Sequence, residues 1–486
     1  MTRLLTILLL LCARLALCTT YYVDYVGGND SNNGLSTSTA WQHDPFMVGF
    51  TGSYSHVPGD RYIFKGGVTW PYSCFVLAIT AGGTANIQDY YGTNAAWYSG
   101  SAWSPPIWDC QMAGANGTTG ALNISQMNGH MISLTANYVT LDSIVVTNLN
   151  WSGTSAMRGV DYNSSLGVIL TNMQFLCYSN LTGGSGSDVL NVVQCIGAAG
   201  QPTNEVTHCT FTCLPNTAWC GQACYYGTTV DHCIMHDMPN FVVGLFLNVS
   251  NNFLYQSQES TDPAQHGNVI EVFGSQYQPC YITYNVESNN FAGECMIITP
   301  GTSQPSYVYN NLIVSNLTGS PAILADGQLS GNLSTGTLNI FNNTFQDNPG
   351  GNGWVRVIKN GGGSQWAVVN CSNTLFITSN TGGAVQLDGG VTTVVNEGDN
   401  LQLGSYAAAG VNAFFIPQPG SAAIGAGANL SSLFTVDING NTRPVVAAWD
   451  IGAVQHKPGI VIQGGGSLAL QGTNAAHPVG VILQGQ

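Results

Sequence analysis

Charge is what this sequence has least of. Only 7% of its 486 residues are Asp, Glu, Lys or Arg, and nine of them are basic against 24 acidic. Nucleic-acid surfaces neutralise phosphates with Lys and Arg, so a chain at formal charge −15 is excluded from that class. Long apolar runs are also missing. The longest, Leu4 to Leu11, is too short to span a bilayer, and Arg14 interrupts its extension, so no membrane span is expected. Helical periodicity is absent from every long window, and only a short capping helix at 45–50 is expected. Scarce charge does not mean disorder here, because 44% of residues are hydrophobic and 10% aromatic.

What is present begins with a leader. Arg3, the apolar Leu4 to Leu11 and the small-residue site Ala16-Leu17-Cys18 have the layout of a secretory signal peptide. The chain is therefore expected to be exported and to act outside the cell, as a monomer. Behind the leader, 60 glycines and an abundance of Asn, Thr, Ser and Val favour many short strands joined by tight turns. The organisation read from the sequence is a leader at 1–18, a cap with the first coils at 19–120, and a solenoid at 121–400. A closing segment at 401–455 and a Gly-rich tail at 456–486 complete it.

The solenoid rests on one recurring pattern: a β-branched residue, two variable residues, then Asn, Cys or Asp. It occurs as Val139-Thr-Leu-Asp142, Ile169-Leu-Thr-Asn172, Val206-Thr-His-Cys209, Val230-Asp-His-Cys233 and Val249-Ser-Asn-Asn252. It continues as Ile282-Thr-Tyr-Asn285, Val308-Tyr-Asn-Asn311, Ile340-Phe-Asn-Asn343 and Val368-Val-Asn-Cys371, with gaps between 19 and 37 residues. A constant local motif at irregular intervals suits a coil with fixed turns and variable loops. Each coil alone cannot bury its inward side, but stacked coils share one interior, so the β-branched residues should point inward. Asn in the last slot should tolerate left-handed backbone and bond to the Asn of the next coil. The segment Val192-Val-Gln-Cys195 fits the motif but falls out of step.

Cys is a small buried hydrophobe that can take the same slot, so Cys209, Cys233 and Cys371 are expected as ladder thiols rather than crosslinks. Cys213, Cys220 and Cys224 lie in a loop where a disulfide is an even alternative. Asn29-Asp30-Ser-Asn-Asn-Gly34 carries oxygens suited to Ca²⁺ but lacks the EF-hand spacing, and an Asx/Gly turn is the expected reading. No cofactor and no metal is specifically indicated. Twelve Asn-x-Ser/Thr sequons run from Asn29 to Asn429, many of them a by-product of the Asn/Thr-rich ladder.

The two ends are family-like. Tyr21-Tyr-Val-Asp-Tyr-Val-Gly-Gly-Asn-Asp-Ser-Asn-Asn-Gly-Leu-Ser, Trp41 and Pro58-Gly-Asp-Arg-Tyr-Ile-Phe-Lys-Gly-Gly resemble the opening of secreted pectate-lyase-like proteins. Gly420-Ser-Ala-Ala-Ile-Gly-Ala-Gly-Ala-Asn-Leu, Asp437-Ile-Asn-Gly-Asn-Thr-Arg-Pro and Trp449-Asp-Ile-Gly-Ala resemble that superfamily's closing segment. The resemblance covers roughly residues 21 to 455 and implies an all-β, right-handed parallel β-helix. It says little of activity, because the superfamily holds lyases, hydrolases, epimerases and adhesins. Lyases of this fold use Arg or Lys as base with Asp-held Ca²⁺, whereas here the basic residues between the end motifs are only Arg158, Arg356 and Lys359. Arg356-Val-Ile-Lys359 is superficially similar to the Arg-Ile-Lys of polygalacturonases. The accompanying Asn-Thr-Asp, Asp-Asp and Gly-His-Gly motifs are absent, and no role is carried over.

Since charged groups are scarce, their clustering directs attention to 231–271. Asp231, His232, His236, Asp237, Glu259, Asp262, His266 and Glu271 all fall there. His208 and His232 share the slot before the turn residue, so they should stack at the coil spacing of about 4.8 Å. Asn251, Tyr284, Asn310, Asn342 and Asn370 should continue that column. Alternation in Val269-Ile-Glu-Val-Phe273 sends Ile270 and Val272 inward and Glu271 outward beside Phe273. Carboxylates, imidazoles and an aromatic ring suit a sugar chain, with His232, His266, Glu271, Asp231 and Asp262 as candidate catalytic groups. Phe273, His208, His236, Asp237 and Glu259 are the candidate substrate contacts. The expected function is binding, and cleavage by hydrolysis or elimination, of a polysaccharide. The alternative is a non-catalytic surface module binding glycan or protein, for which these groups scatter around the coil; solvated or structural side chains and a metal site also remain open.

Overall fold

In a computed structural model, the chain is a right-handed parallel β-helix. The structure describes residues 18–456 except 111–129, 152–156, 163–164, 180–189, 195–203, 214–221, 228, 258–266, 274–277, 289–293, 300–303, 317–320, 328–335, 348–351, 360–364 and 379–381. The expected leader, apart from Cys18, and the expected Gly-rich tail beyond 456 thus lie outside the described residues. Three sheets wrap one interior: sheet A of 13 strands, sheet B of 12 and sheet C of 11. A representative coil passes through Thr229–Asp231 in sheet A, Ile234–His236 in sheet B and Asn240–Leu245 in sheet C, then re-enters sheet A at Asn248–Ser250. Among the described residues no helix is long and apolar enough to cross a membrane.

The inward column of sheet A is the repeat read from the sequence. Val206, Val230, Val249, Ile282, Val308 and Ile340 lie in register and are buried. Three motif copies are shifted. In the second, Leu170 rather than Ile169 holds the inward position, between Leu141 and Val206. In the first, Leu141 holds it, although Val139 is buried as well. In the last, Cys371 pairs with Ile340, so Cys371 is itself an inward strand residue, not a turn residue, and Val368 is only half-buried. The cause is common to all three: a strand with apolar residues at adjacent or alternate positions fits the motif in more than one frame. The out-of-step Val192-Val-Gln-Cys195 belongs to a sheet C strand, Leu190–Gln194.

Sheets A and B are joined by a two-residue turn in ten successive coils, from 143–144 to 399–400. The first residue of each turn has positive φ: Ser143, Asn172, His208, His232, Asn251, Tyr284, Asn310, Asn342, Asn373 and Asp399. The second points inward. This corrects the expected geometry, because the left-handed backbone belongs to the slot before the ladder residue, and Asn373 rather than Asn370 continues the histidine column. The amide ladder itself is present: Asn252, Asn285 and Asn311 each donate through Nδ2 to the next Oδ1, ending at Asn343, all at 3.0 Å. Cys233 occupies the same slot and donates its backbone N–H to Asn252 Oδ1 at 2.9 Å. Buried amides are tolerated here because each is satisfied by its neighbour.

Cys209, Cys233 and Cys371 are free, buried thiols. Burial pushes the Cys233 thiol well above its usual range, and that of Cys371 up to about 12. Because the thiolate is the nucleophile, all three are expected to resist an alkylating reagent until the chain unfolds. Mass spectrometry of pulse-labelled protein checks this; rapid native labelling, or recovery of the three in disulfides, would contradict it. Cys224 sits on the strand Gln222–Tyr225 as a buried free thiol, so it forms no loop disulfide, while Cys220 lies outside the described residues.

Both ends are closed by irregular chain. At the N-terminal cap, residues 45–49 form consecutive turns rather than the expected short helix, with Gly49 at φ +95° ending them. The Asp30 carboxylate accepts from the Gln42 and His43 amides and pairs with His43 Nδ1 at 2.8 Å, so Asn29–Gly34 is a cross-braced turn. The closing segment folds back over sheet B, where Val411, Phe415, Ile438 and Ile451 pack on Val286, Leu312 and Leu375. It also seals the A–B turns. Asn310 donates to Val436 O, Asn342 to Asp450 O and Asn373 to Ala428 O. Buried Arg443 reaches Asn310 Oδ1 at 2.9 Å.

Candidate functional site

On sheet A before this seal, Tyr281 is exposed and Glu205, Thr229 and Asn248 are half-buried. Strand alternation turns one outward column into Glu205, Thr229, Asn248, Tyr281, Tyr307, Asn339, Asn370 and Asn396. A second carries Thr207, Asp231, Ser250 and Thr283. The turn column beside it carries His208, His232, Asn251 and Tyr284. The imidazoles of His208 and His232 are parallel, with ring centroids 4.8 Å apart, as the coil spacing predicts. Two coils beyond Thr229, Tyr281 and Tyr307 stack at 5.1 Å, and Tyr281 is exposed. Beyond them Asn396 donates to Asn370 and Asn370 to Asn339, each at 2.8 Å.

Around His232 the polar groups converge. Its Nδ1 donates to Asp231 Oδ2 at 2.7 Å, which selects the tautomer that leaves Nε2 as an acceptor. Asp231 Oδ1 is buried and makes no hydrogen bond among the described residues. Glu205 lies diagonally across from Asp231, one coil before it, on the same face. Burial, and then the Asp231 charge, raise the Glu205 carboxyl above its ordinary value, with His232 opposing. A carboxyl made more protonated stands beside a carboxylate-held imidazole, the pairing needed for general acid and general base.

Along the turn column the shelf ends against a wall. Val436, Asp437, Ile438, Asn439 and Gly440 of the closing segment face Asn251 and Tyr284 across a cavity of about 270 Å³. Beyond it, Phe434 stacks on Tyr309 with centroids 4.4 Å apart.

No family model and no curated protein matches the chain. Among solved structures it is similar to pectate lyase Pel9A, at 12% identity and a TM-score of 0.47, covering 90% of this chain and 96% of that one. It is also similar to a GH136 lacto-N-biosidase from Eubacterium ramulus, at 12% identity and a TM-score of 0.40, over 80% and 68%. A PL6 family polysaccharide lyase from Pseudopedobacter saltans matches at 12% identity and a TM-score of 0.33, over 72% and 89%. Likenesses this loose transfer neither residues nor a reaction.

The other residues singled out from the sequence do not join this shelf. His236 and Asp237 sit where sheet B leads to sheet C, with His236 Nδ1 2.6 Å from Asp237 Oδ2 and its ring stacked on Tyr255. Glu271 and Phe273 are half-buried on the outward side of sheet C, while Ile270, Val272 and also Val269 are buried. Asn268 Nδ2 donates to Glu271 Oε2 at 2.8 Å, and Phe273 meets the Tyr226 ring edge-on. Glu259, Asp262 and His266 lie outside the described residues. Among the described residues no three His, Cys, Asp or Glu side chains are grouped to hold a metal. Arg356 is bound bidentately by Asp388, at 3.0 and 2.7 Å, on the surface.

Sequence reasoning missed Glu205 although a signal existed. In Glu205-Val-Thr-His-Cys209, the residue before the inward Val must face outward, on the same side as the residue after it. Applying that to neighbouring coils pairs Glu205 with Asp231.

Proposed function

We propose that this is an extracellular polysaccharide-acting β-helix protein, which holds a glycan along the axis over sheet A and hydrolyses it beside His232. The observation that carries the reading is the single strip on which Glu205, Asp231 and His232 share a face with the stacked Tyr281 and Tyr307. Aromatic rings present flat apolar faces to pyranose C–H groups, and amides and carboxylates meet the hydroxyls. One side chain per column per coil, about 4.8 Å apart, matches an extended sugar chain in scale. The scatter of Glu271 and His236 over other faces favours a second reading, in which the shelf binds glycan without cutting it.

The purified protein, incubated with panels of acidic and neutral polysaccharides, should release new reducing ends from one of them without unsaturated products. Tyr281→Ala should weaken binding to that polysaccharide by about tenfold with the fold intact. Unsaturated products would replace hydrolysis by elimination. Binding without any cleavage would establish the module, and Tyr281→Ala binding as well as wild type would move the glycan off this face.

A further inference from the structure

Along the A–B turn column the shelf is closed at one end. Towards lower residue numbers the turn column continues past His232 to His208 and Asn172. Towards higher numbers the next three turns after Tyr284 are occupied, Asn310 by Val436 O and Arg443, Asn342 by Asp450 O and Asn373 by Ala428 O, and the Phe434 ring covers Tyr309. The 270 Å³ cavity lies at that boundary, its floor made by Asn251 and Tyr284 on the last uncovered turns. Asn251 is one coil from His232, because the His232 amide bonds to Ser250 O, the residue preceding it.

The wall is built to stay in place. Asp437 accepts from the amides of Asn439, Asn441 and Gln455 and from Asn441 Nδ2, all between 2.7 and 2.9 Å. With its carboxylate so engaged, Asp437 shapes the loop rather than offering a free charge. The remaining lining is amphipathic: a phenol ring, Val436 and Ile438 against the amides of Asn251 and Asn439, with no cation. That combination suits a neutral ring bearing hydroxyls, and the volume fits one such ring rather than several.

We infer that this cavity receives the terminal sugar unit of the glycan, so that the protein recognises chain ends rather than chain interiors. The inference rests on the polysaccharide reading above and adds to it a direction and a stop. A chain end seated on Asn251 and Tyr284 puts the first glycosidic linkage one coil away, beside His232 and Asp231. An internal segment lying in the turn column cannot thread past the wall, since the next three turns are already bonded to the closing segment.

The test uses the full chain and the polysaccharide identified by screening, supplied as linear oligosaccharides of increasing length and as a ring-closed oligosaccharide of the same linkage. Molar affinity should level off after a few units and stay flat in longer chains, because each molecule has one such end. The ring-closed form should bind at least about tenfold more weakly. Asn439→Trp, which fills the cavity from an exposed position, should cost a similar factor, and Asn439→Ala much less. Circular dichroism and an unchanged melting midpoint would certify both variants as folded; if Asn439→Trp does not fold, Tyr284→Leu replaces it. Affinity that rises in proportion to chain length, equal binding of the ring-closed form, or an unaffected filled variant would overturn chain-end recognition while leaving the polysaccharide reading intact. Failure to bind any glycan would end both.

Discussion

Replacing Glu287 by leucine is expected to stabilise the protein by on the order of 3–4 kcal/mol at pH 7 and by far less near pH 4.5. Glu287 lies on the strand Val286–Ser288 with its side chain inside the solenoid, in register between Leu254 and Ile313, and is fully buried. Among the described residues neither carboxyl oxygen has a hydrogen-bond partner of normal geometry. Burial therefore pushes its carboxyl well above the ordinary value of 4.5, and the nearby Cys295 thiol opposes this only in part. A folded state that keeps the proton loses ground to an unfolded chain that releases it. Stability is thus full below pH 4.5 and declines by about 1.4 kcal/mol per pH unit above it, until Glu287 itself ionises. Leucine matches its apolar neighbours in the column and removes this dependence. Glu287→Gln, which keeps the shape without the titration, should remove the slope while gaining less at low pH. Denaturant unfolding of the three proteins at pH 4.5, 6 and 7.5 decides the matter. Parallel stability curves would mean that Glu287 is already satisfied in solution.

The second large effect is expected at the shelf. Glu205→Gln should lower turnover on the true substrate by about a hundredfold or more, with little change in binding. In hydrolysis the Glu205 proton passes to the glycosidic oxygen as the bond to the anomeric carbon breaks. Water attacks that carbon and yields its own proton to His232 Nε2. A carboxyl raised by burial and by Asp231 remains protonated to higher pH than an ordinary glutamic acid. Wild-type activity should therefore fall on the alkaline side as Glu205 ionises, and that limb should vanish from the residual activity of Glu205→Gln. Asp231→Asn should also be slow, because its amide no longer fixes the His232 tautomer. Folded variants that keep the wild-type rate and pH profile would place the chemistry elsewhere, with Glu271 the next residue to replace.

The architecture was largely legible because stacking imposes the same demand on every coil. An inward β-branched residue followed two or three places later by a polar one or Cys recurs at most turns from sheet A to sheet B, and the His208–His232 stack follows directly. The frame was less legible where apolar residues adjoin, as at Ile169-Leu170 and Val368-Val369, since either neighbour can point inward. The site was legible only in part. Residues close in sequence, such as His232, His236 and Glu271, occupy three different sides of the coil. Partners such as Glu205 and Asp231 lie a whole coil apart. Glu287 was invisible for another reason: its neighbours in the column, Met235, Leu254, Ile313 and Phe345, are apolar, and nothing local in Asn285-Val-Glu marks the Glu as inward.

Stacked-coil proteins ordinarily fray from their ends, since a terminal coil has a neighbour on one side only. Here the last coils are tied down by chain that comes after them, bonding Asn310, Asn342 and Asn373 through Val436, Asp450 and Ala428. None of those coils can peel away until the whole closing segment has let go. The C-terminal third should therefore open as one cooperative unit, with amide protons from about Tyr284 to Asp399 exchanging at a common rate, not in a gradient towards the end.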